Sequence, residues 1–455
     1  MPNEDVVPLL PPTSRGYGSF EYLKSVGLSP RTPCIRSSDV GYLDKPFVYY
    51  LERRLGMSSV FNKSDSSAHG DWGHVRANLT GTPSKIKADM ETAFKVWAAQ
   101  VATQANALGM GEGAIAAFVT NERQRWQESW VWYEAAASLR LERTLPGGLP
   151  SLHNEREWQV LGREVVVGYN HPLFPGRMIV AQFDDLAYNK ATHELFIDDY
   201  KFTSGSRVQR VKSCPIEYQT WTYLTVLKGA LPTILSKFGL PPDTKIGGMR
   251  HIVVATPNLS MGMKDRKYQW KSEGKRSGRQ GIVRLKDEGW VFISSNGDSV
   301  AYADEGDAVR ALHGFTGKQP EKEFAGEPDP SMYRHRIDQW YRGVGEFSAR
   351  AIEYDTDPQI VVSTTHPSVM EGDVEAEYLE LTGCIFDLAT RKPYPSEYPR
   401  TQSGMRNKFS ITESVYADFH ILPVQEWPRL MRENLLVVKP REKDYWSAAA
   451  TGLLE

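Results

Sequence analysis

An apolar segment that ends in acidic residues and a lysine constrains this chain more than any other feature. Residues 195–197 are apolar and lead into Asp199, Tyr200 and Lys201. Because side chains alternate along a β-strand, Asp199 and Lys201 leave the strand on the same face. The segment therefore predicts a strand that carries a carboxylate and an ammonium group into one site.

A second carboxylate closes the preceding strand-like run. Residues 178–183 are mostly apolar and end at Asp184, and residues 189–192 supply a hairpin turn before the next strand. Two carboxylates at adjoining strand ends repel each other unless a cation lies between them, and hard oxygen ligands favour Mg²⁺ or Mn²⁺. The pair therefore predicts a site for one or two divalent ions.

The segment after the lysine has helical character, which places Gln219 and Tyr223 one turn apart on one face. The order Asp184, then Asp199-Tyr200-Lys201, then Gln219 with Tyr223 resembles the RecB-like, lambda-exonuclease-like branch of the PD-(D/E)XK nuclease superfamily. This resemblance covers about the middle quarter of the chain closely and the amino-terminal third more loosely. It implies an α/β fold with a central mixed sheet flanked by helices.

The resemblance also implies roles for these residues in metal-dependent hydrolysis of a DNA phosphodiester. Asp184, Asp199 and the main-chain carbonyl of Tyr200 would bind the metal, and Lys201 would position or deprotonate water. Gln219 and Tyr223 would align the DNA backbone and the lysine. The family often has a glutamate about twenty residues before the first catalytic aspartate, a position that Glu164 matches, and the alternative for Glu164 is an ordinary polar residue at a strand edge.

His74 is the candidate fourth metal ligand. The family often carries Gly-x-x-x-His in this part of the chain, and Gly70 to His74 fits that pattern. A neutral imidazole can coordinate a divalent ion while limiting the charge of the site. The alternative is a surface histidine, and His69 lies close enough in sequence to be confused with it.

Other cofactors are not expected. In some relatives a Cys-Pro pair supplies a ligand of an iron–sulfur cluster, but Lys45 precedes Pro46 here, so no cluster is predicted. A phosphate-binding Gly-x-x-x-x-Gly-Lys-Ser/Thr loop is also missing, which argues against ATP-driven unwinding.

The favoured function is a DNA exonuclease or end-processing enzyme of recombination, repair or phage replication. The alternatives are an adaptation-type nuclease that lacks the cluster and an inactive nuclease-fold protein that binds DNA or has a structural role.

A basic stretch supplies the candidate DNA-binding surface. The net charge of the chain is only −2, so contact with DNA depends on a local patch. Aromatic Tyr268 and Trp270 lie among its basic residues, although a solvated loop is the alternative reading. The candidate DNA-binding residues are Lys264, Arg266, Lys267, Lys271, Lys275, Arg276 and Arg279.

Sequence patterns and the resemblance together suggest five regions. We expect a tail (1–30), a mostly helical amino-terminal region (31–150), the nuclease core (151–260), a basic insertion containing a hairpin (261–320) and a helical or irregular extension (321–455), with a linker at 318–330. The tryptophans between residues 84 and 143 are expected in a core, with base stacking as the alternative.

Cell location and partners are expected from the same data. Three scattered cysteines and the lack of a long apolar run indicate a reducing, intracellular location away from membranes. The resemblance implies the cytoplasm of a bacterium or of a phage-infected host. DNA is the expected partner. A recombination or single-strand-annealing protein and a homo-oligomer are further partners that the resemblance allows.

Overall fold

A computed structural model describes most of residues 34–438. The positions outside the description are 1–33, 56, 60–64, 78, 80–81, 108, 144–156, 176, 205–206, 258, 275–277, 287–288, 349–359, 391–395, 397, 399, 401–415, 428, 431–435 and 439–455. The tail expected at 1–30 therefore lies outside the described residues.

The described chain contains both helices and strands. The strands are β1 Cys34–Ile35, β2 Met57–Ser59, β3 Trp158–Asn170, β4 Met178–Asn189, β5 Glu194–Thr203, β6 Lys245–Ala255, β7 Arg266–Glu273, β8 Gln280–Lys286, β9 Gly289–Ser294, β10 Ser299–Tyr302, β11 Glu321–Pro328, β12 Ile360–Thr365 and β13 Leu436–Val438. The helices are α1 Ser37–Val40, α2 Pro46–Tyr49, α3 Asp65–Ala77, α4 Pro83–Ala107, α5 Glu112–Arg143, α6 Arg207–Ser213, α7 Tyr218–Phe238, α8 Glu305–Thr316, α9 Pro330–Arg342, α10 Asp373–Thr390 and α11 Ala417–Ile421.

These elements form two compact units. The second unit is Pro257–Thr356, and the first contains the chain before and after it. The expected basic insertion, 261–320, lies within the second unit, which continues to residue 356. The first unit takes β12, α10 and α11 from the expected carboxyl-terminal extension.

A mixed sheet of six strands forms the centre of the first unit, in the order β1-β4-β5-β6-β12 with β3 also on β4. The pairs β3–β4, β4–β5 and β6–β12 are antiparallel, whereas β1–β4 and β5–β6 are parallel. Parallel neighbours need a crossover connection, and α6 and α7 supply it between β5 and β6. The expected α/β fold, a mixed sheet flanked by helices, is confirmed.

Two strands share one edge of β4. Because β3 takes the other edge, β5 and β1 must both lie on this one, where β5 pairs with residues 185–189 and β1 with residues 178–179. Between them, no described strand pairs with this edge. Asp184 lies in that gap.

Helix α7 packs an apolar face on the sheet. It ends at Phe238 and is capped by Gly239, whose φ of 62° is left-handed and favours glycine. Its buried residues join the main core of the first unit: Tyr223, Leu224, Val226, Leu227, Ala230 and Ile234.

The tryptophan-rich helices form a separate core. Trp72 of α3, Phe94 of α4 and Trp126 of α5 are buried together, and Trp97 and Trp130 pack against them. The indole of Trp72 also donates a 2.7 Å hydrogen bond to the buried Glu122 of α5. The interpretation of these aromatic residues as core is confirmed for this cluster.

The second unit is a five-stranded antiparallel sheet, β10-β9-β8-β7-β11, packed on α8. The prediction of a linker at 318–330 was wrong for most of that range, because β11 pairs with β7 from Glu321 to Pro328. Glycine and proline near the end of β11 are tolerated because it is an edge strand, and its register shifts between Ala325 and Pro328.

Within the described residues, no helix combines the length and the apolar character needed to cross a membrane.

Candidate active site

The site begins where β4 and β5 separate. Their last paired residues are Asp185 and Asp198, so the next residues in line are Asp184 and Asp199. The backbone N–H of Tyr200 donates a 2.8 Å hydrogen bond to Asp184 Oδ2. A side-chain carboxylate thus replaces the missing backbone partner at the gap, which fixes Asp184 beside β5.

Asp199 and Lys201 meet as the strand alternation predicts. The Lys201 ammonium lies 2.8 Å from each oxygen of the Asp199 carboxylate. Burial, the largest influence, favours protonation of Asp199, but Lys201 and His251 outweigh it and lower the pKa to about 2. The fully buried carboxylate is therefore ionised at neutral pH.

Helix α7 brings Gln219 and Tyr223 to this pair. Gln219 Oε1 accepts a 2.6 Å hydrogen bond from Lys201 Nζ, while Gln219 Nε2 lies 3.1 Å from Asp199 Oδ1 and 3.0 Å from the Tyr223 hydroxyl. The amide therefore contacts both members of the charged pair. Tyr223 is held in turn against Phe183 of β4, with ring centroids 5.2 Å apart.

His74 approaches from α3. Its Nδ1 lies 3.4 Å from Asp184 Oδ2, and its ring packs 5.4 Å from that of Phe202. Burial, the largest influence, lowers the pKa of His74, but the charge and hydrogen bond of Asp184 raise it above its ordinary value; Asp199 adds to this effect and Lys201 opposes it. The charges of Asp184, Asp199 and Lys201 therefore all influence the pKa of His74.

Neither a protein-family model nor a curated protein matches this chain.

His251 is a site residue that the sequence did not reveal. It lies on β6 directly beside Asp199 in the parallel register and is fully buried. Its Nδ1 is 3.4 Å from Asp199 Oδ2, and its Nε2 is 3.0 Å from Thr365 Oγ1 on β12. The apolar run around His251 predicted the strand, but nothing in that run marked the histidine as a partner of Asp199.

His69 is not part of the site. Its Nε2 lies 2.8 Å from Glu128 Oε2, and its ring packs 4.4 Å from Trp132, so it joins α3 to α5. The distinction between the two histidines follows from helix geometry, because residues five apart on a helix point in different directions.

A second charged cluster lies on the opposite side of β5. Asp198 forms a two-pronged ion pair with Arg250, whose guanidinium lies 3.8 Å from the centroid of the Trp158 ring. Burial raises the pKa of Asp185 to about 8 against the opposing charge of Arg163. Asp185 and Asp198 adjoin the site residues Asp184 and Asp199 in sequence, but they are buried in this separate cluster.

The donor set suits a hard divalent ion, although it does not enclose one. Asp184 Oδ1 and His74 Nε2 have no hydrogen-bond partner among the described residues, so a carboxylate oxygen and an imidazole nitrogen remain for a cation. Asp199 differs, since Lys201, Gln219 and His251 surround both of its oxygens. In the described part of the chain, no three His, Cys, Asp or Glu side chains are grouped closely enough to hold a metal.

The roles of two candidate site residues, Glu164 as a catalytic residue and Tyr200 as a metal ligand, stay predictions. Glu164 lies in β3 between Arg163 and Val165, and its side chain is outside the description. Tyr200 contributes its N–H to Asp184, while its side chain is buried with the hydroxyl 3.4 Å from Asp185 Oδ2. A metal-binding role for its carbonyl is a prediction that these contacts leave untested.

The candidate DNA-binding residues belong to the second unit. Lys264 pairs with Glu346 at 2.8 Å and Lys267 with Asp329 at 3.1 Å. Arg266 and Lys271 lie on β7, Arg279 lies 5.4 Å from the centroid of the Phe315 ring, and Lys275 and Arg276 lie outside the described residues. No described contact therefore brings these basic residues together into one cluster that lacks acidic partners.

The aromatic side chains in this stretch are used inside the second unit. Tyr268 and Trp270 both donate hydrogen bonds to Glu305 Oε1, at 2.9 and 2.6 Å. The Lys322 ammonium also lies 3.5 Å from the centroid of the Tyr268 ring. Base stacking on these two rings is consequently disfavoured.

Proposed function

We propose that this protein is a metal-dependent deoxyribonuclease with a PD-(D/E)XK-type core, acting as an exonuclease or end-processing enzyme. The observation that carries the proposal is the bonded set of Asp199, Lys201 and Gln219 at the end of β5, with Asp184 and His74 beside it. Asp199 and Lys201 lie two residues apart on β5, and Gln219 of α7 bonds both, so a carboxylate and an ammonium group are held together in one site.

The chain's own residues supply the positioning and the charge. Asp199 is ionised and holds the Lys201 ammonium in place, and Gln219 accepts another of the three ammonium hydrogens. The third N–H of Lys201 can then donate to a phosphate oxygen or to the attacking water. Such a preorganised donor stabilises the negative charge that develops in phosphodiester hydrolysis.

A Mg²⁺ or Mn²⁺ ion would be held by Asp184 and His74, with Asp199 as a ligand once one of its protein donors is exchanged. When bound, such an ion polarises the phosphate and lowers the pKa of a coordinated water. The carboxylate of Asp184 is kept on the β5 side of the gap by the Tyr200 N–H.

The resemblance to RecB-like nucleases supports DNA as the substrate. It also supports work in recombination, repair or phage replication, inside a bacterial or infected cell. No iron–sulfur cluster and no ATP enter this proposal, and a recombination or single-strand-annealing protein is a proposed partner.

A second candidate function is an inactive nuclease-fold protein that binds DNA. It is favoured by the crowding around Asp199, whose oxygens are already occupied by three protein donors. A metal that must displace a buried donor binds less readily than one that enters an open site.

Cleavage of labelled DNA in Mg²⁺ or Mn²⁺ tests the proposal. We expect Asp199→Asn and Lys201→Ala to lose activity by on the order of 10²-fold or more, because each removes part of the charge that the reaction requires. Asp184→Asn should lose activity with a raised metal requirement.

Lys245→Ala is the matched control, since Lys245 is exposed at the start of the neighbouring strand β6. Circular dichroism of each variant separates loss of chemistry from loss of fold. Unchanged cleavage by both Asp199→Asn and Lys201→Ala would refute the nuclease proposal, and DNA binding without cleavage by the wild type would favour the second candidate.

A further inference from the structure

The segment between β5 and α7 exposes apolar side chains beside the candidate site. Val208 is 61% exposed, Ile216 71% and Tyr218 40%. Exposed apolar surface with polar residues around it is typical of an interaction site, and three large side chains with exposed apolar surface fall within this short segment. We refer to residues 207–218 as the 207–218 segment.

Tyr218 is exposed and yet held in place. Its ring packs edge-on against Trp221, with centroids 5.6 Å apart and an interplanar angle of 84°. The Trp221 indole is itself fixed by a 2.9 Å hydrogen bond to the Pro215 carbonyl. A supported aromatic ring loses little conformational entropy when a planar group stacks on it.

The charge of the segment is positive. The sequence of residues 207–218 contains Arg207, Arg210 and Lys212 against one acidic residue, Glu217, which forms an ion pair with Arg210. Lys212 is exposed and lies one helical turn from Val208, so an ammonium group and an apolar side chain share one face of α6.

The chain connects this surface directly to the candidate site. Tyr218 is followed by Gln219, whose amide bonds Lys201 and Asp199. Tyr218 is thus the immediate chain neighbour of the residue that contacts the charged pair.

We propose that the 207–218 segment binds an unpaired DNA strand, with a base stacked on Tyr218, apolar contact at Ile216 and a phosphate near Lys212. This inference rests on the proposed nuclease function and narrows its substrate to DNA with single-stranded character at the site. Exposed aromatic rings and apolar side chains bind unpaired bases by stacking and apolar contact, whereas a duplex presents mainly its phosphates to such a surface.

Binding of a fluorescein-labelled oligothymidine to the full-length protein in EDTA tests the inference without cleavage. Fluorescence anisotropy should show that Tyr218→Ala and Ile216→Glu weaken binding, by about tenfold for Tyr218→Ala, while Tyr218→Phe binds like the wild type. Lys212→Glu should weaken binding and reduce its dependence on salt, whereas the matched Lys245→Glu should not. A duplex of the same length should bind more weakly and be indifferent to Tyr218→Ala.

The inference is overturned if Tyr218→Ala and Ile216→Glu bind the single strand as tightly as the wild type, or if the duplex binds more tightly than the single strand. Cleavage in Mn²⁺ is measured separately. Cleavage that persists with unaltered strand binding in Tyr218→Ala refutes this surface and leaves the nuclease proposal standing. If Tyr218→Ala weakens strand binding but the wild type cleaves no DNA, the binding role of the 207–218 segment is supported and the nuclease proposal is refuted.

Discussion

The central residue of the candidate site is a carboxylate that the protein buries completely. An ionised Asp without partners would be costly at the position of Asp199, so its charge depends on the donors around it. Lys201 contributes charge, and Gln219 and His251 contribute directional contacts. Each donor therefore affects both the stability of the strand end and the orientation of the carboxylate.

We predict that His251 positions Asp199. His251→Leu should lower kcat for DNA cleavage by about tenfold, because Asp199 Oδ2 loses a donor and the carboxylate can rotate. His251→Asn keeps an N–H near the position of Nδ1 and should recover most of that loss. The measurement is kcat and the Mn²⁺ concentration at half-maximal rate for both variants.

Thr365→Val is the control for that prediction. It removes the hydroxyl 3.0 Å from His251 Nε2 and should cause a smaller loss than His251→Leu. Equal activity in His251→Leu and His251→Asn would show that the histidine only fills space.

At this scale the sequence predicted contacts that depend on local spacing. Asp199 and Lys201 are two residues apart in one strand, and Gln219 lies on the next long helix. His251 could not be found in the same way, because its contact depends on the parallel register of β5 and β6, which are separated along the chain by α6 and α7.

At the scale of elements, the position of His74 depends on how closely α3 approaches β5. Gly73 makes this approach possible, since a Cβ at this position would lie 2.7 Å from the Phe202 ring. A side chain at residue 73 would push the helix, and His74 with it, away from the strand.

We therefore predict that Gly73→Ala destabilises the protein by about 1–3 kcal/mol and reduces cleavage. Gly70→Ala, in the same helix, is the matched control. No atom lies within 4 Å of a Cβ at Gly70, so the better helix propensity of alanine should stabilise by up to about 1 kcal/mol. Urea unfolding measures both, and equal effects of the two substitutions would contradict the close-contact argument.

A histidine after β3 should make stability depend on pH. His171 Nδ1 accepts a 3.1 Å hydrogen bond from the Leu173 N–H, and its Nε2 lies 2.7 Å from Thr382 Oγ1 of α10. Burial, the largest influence, together with nearby Arg177 lowers the pKa of His171 to about 4, despite an opposing contact with the Leu379 backbone. The buried imidazole is thus neutral in the folded protein at neutral pH.

The lowered pKa fixes the direction of the effect. The unfolded chain binds a proton near pH 6.5, so the contribution of His171 to stability is complete above that pH and is lost as the pH falls toward 4. We expect a loss of about 2 kcal/mol over this window. His171→Gln should flatten the wild-type decline in urea stability between pH 6.5 and 4, and an unchanged slope would contradict the assignment.

Some elements could not be predicted, because the local composition indicated a different structure. Charged residues, glycine and proline at 318–330 indicated a linker, yet they form β11 at the edge of a sheet, where such residues are common. The strands β4 and β5 were predictable because they are apolar, continuous and joined by a short turn. Their gap at Asp184 was not, since it depends on where β1 attaches.

At the scale of the whole molecule, the chain divides into units that the sequence only suggested. The basic stretch stands out locally, but Pro257–Thr356 contains 16 Lys and Arg residues and 16 Asp and Glu residues, so this unit has no net charge. Electrostatic attraction of DNA over a long range is therefore weak for this unit as a whole. Local composition could not show this balance, because the compensating acids lie on later strands and helices.

The two units should also melt separately, because their cores share no residue. Leu312 is fully buried in the core of the second unit, and Leu186 is fully buried in that of the first. Each Leu→Ala substitution should cost about 2–5 kcal/mol in its own unit. Calorimetry should then show Leu312→Ala lowering one transition and Leu186→Ala lowering the other. A single transition that both variants shift equally would mean that the chain unfolds as one cooperative body, and that the proposed site cannot keep its structure when the second unit unfolds.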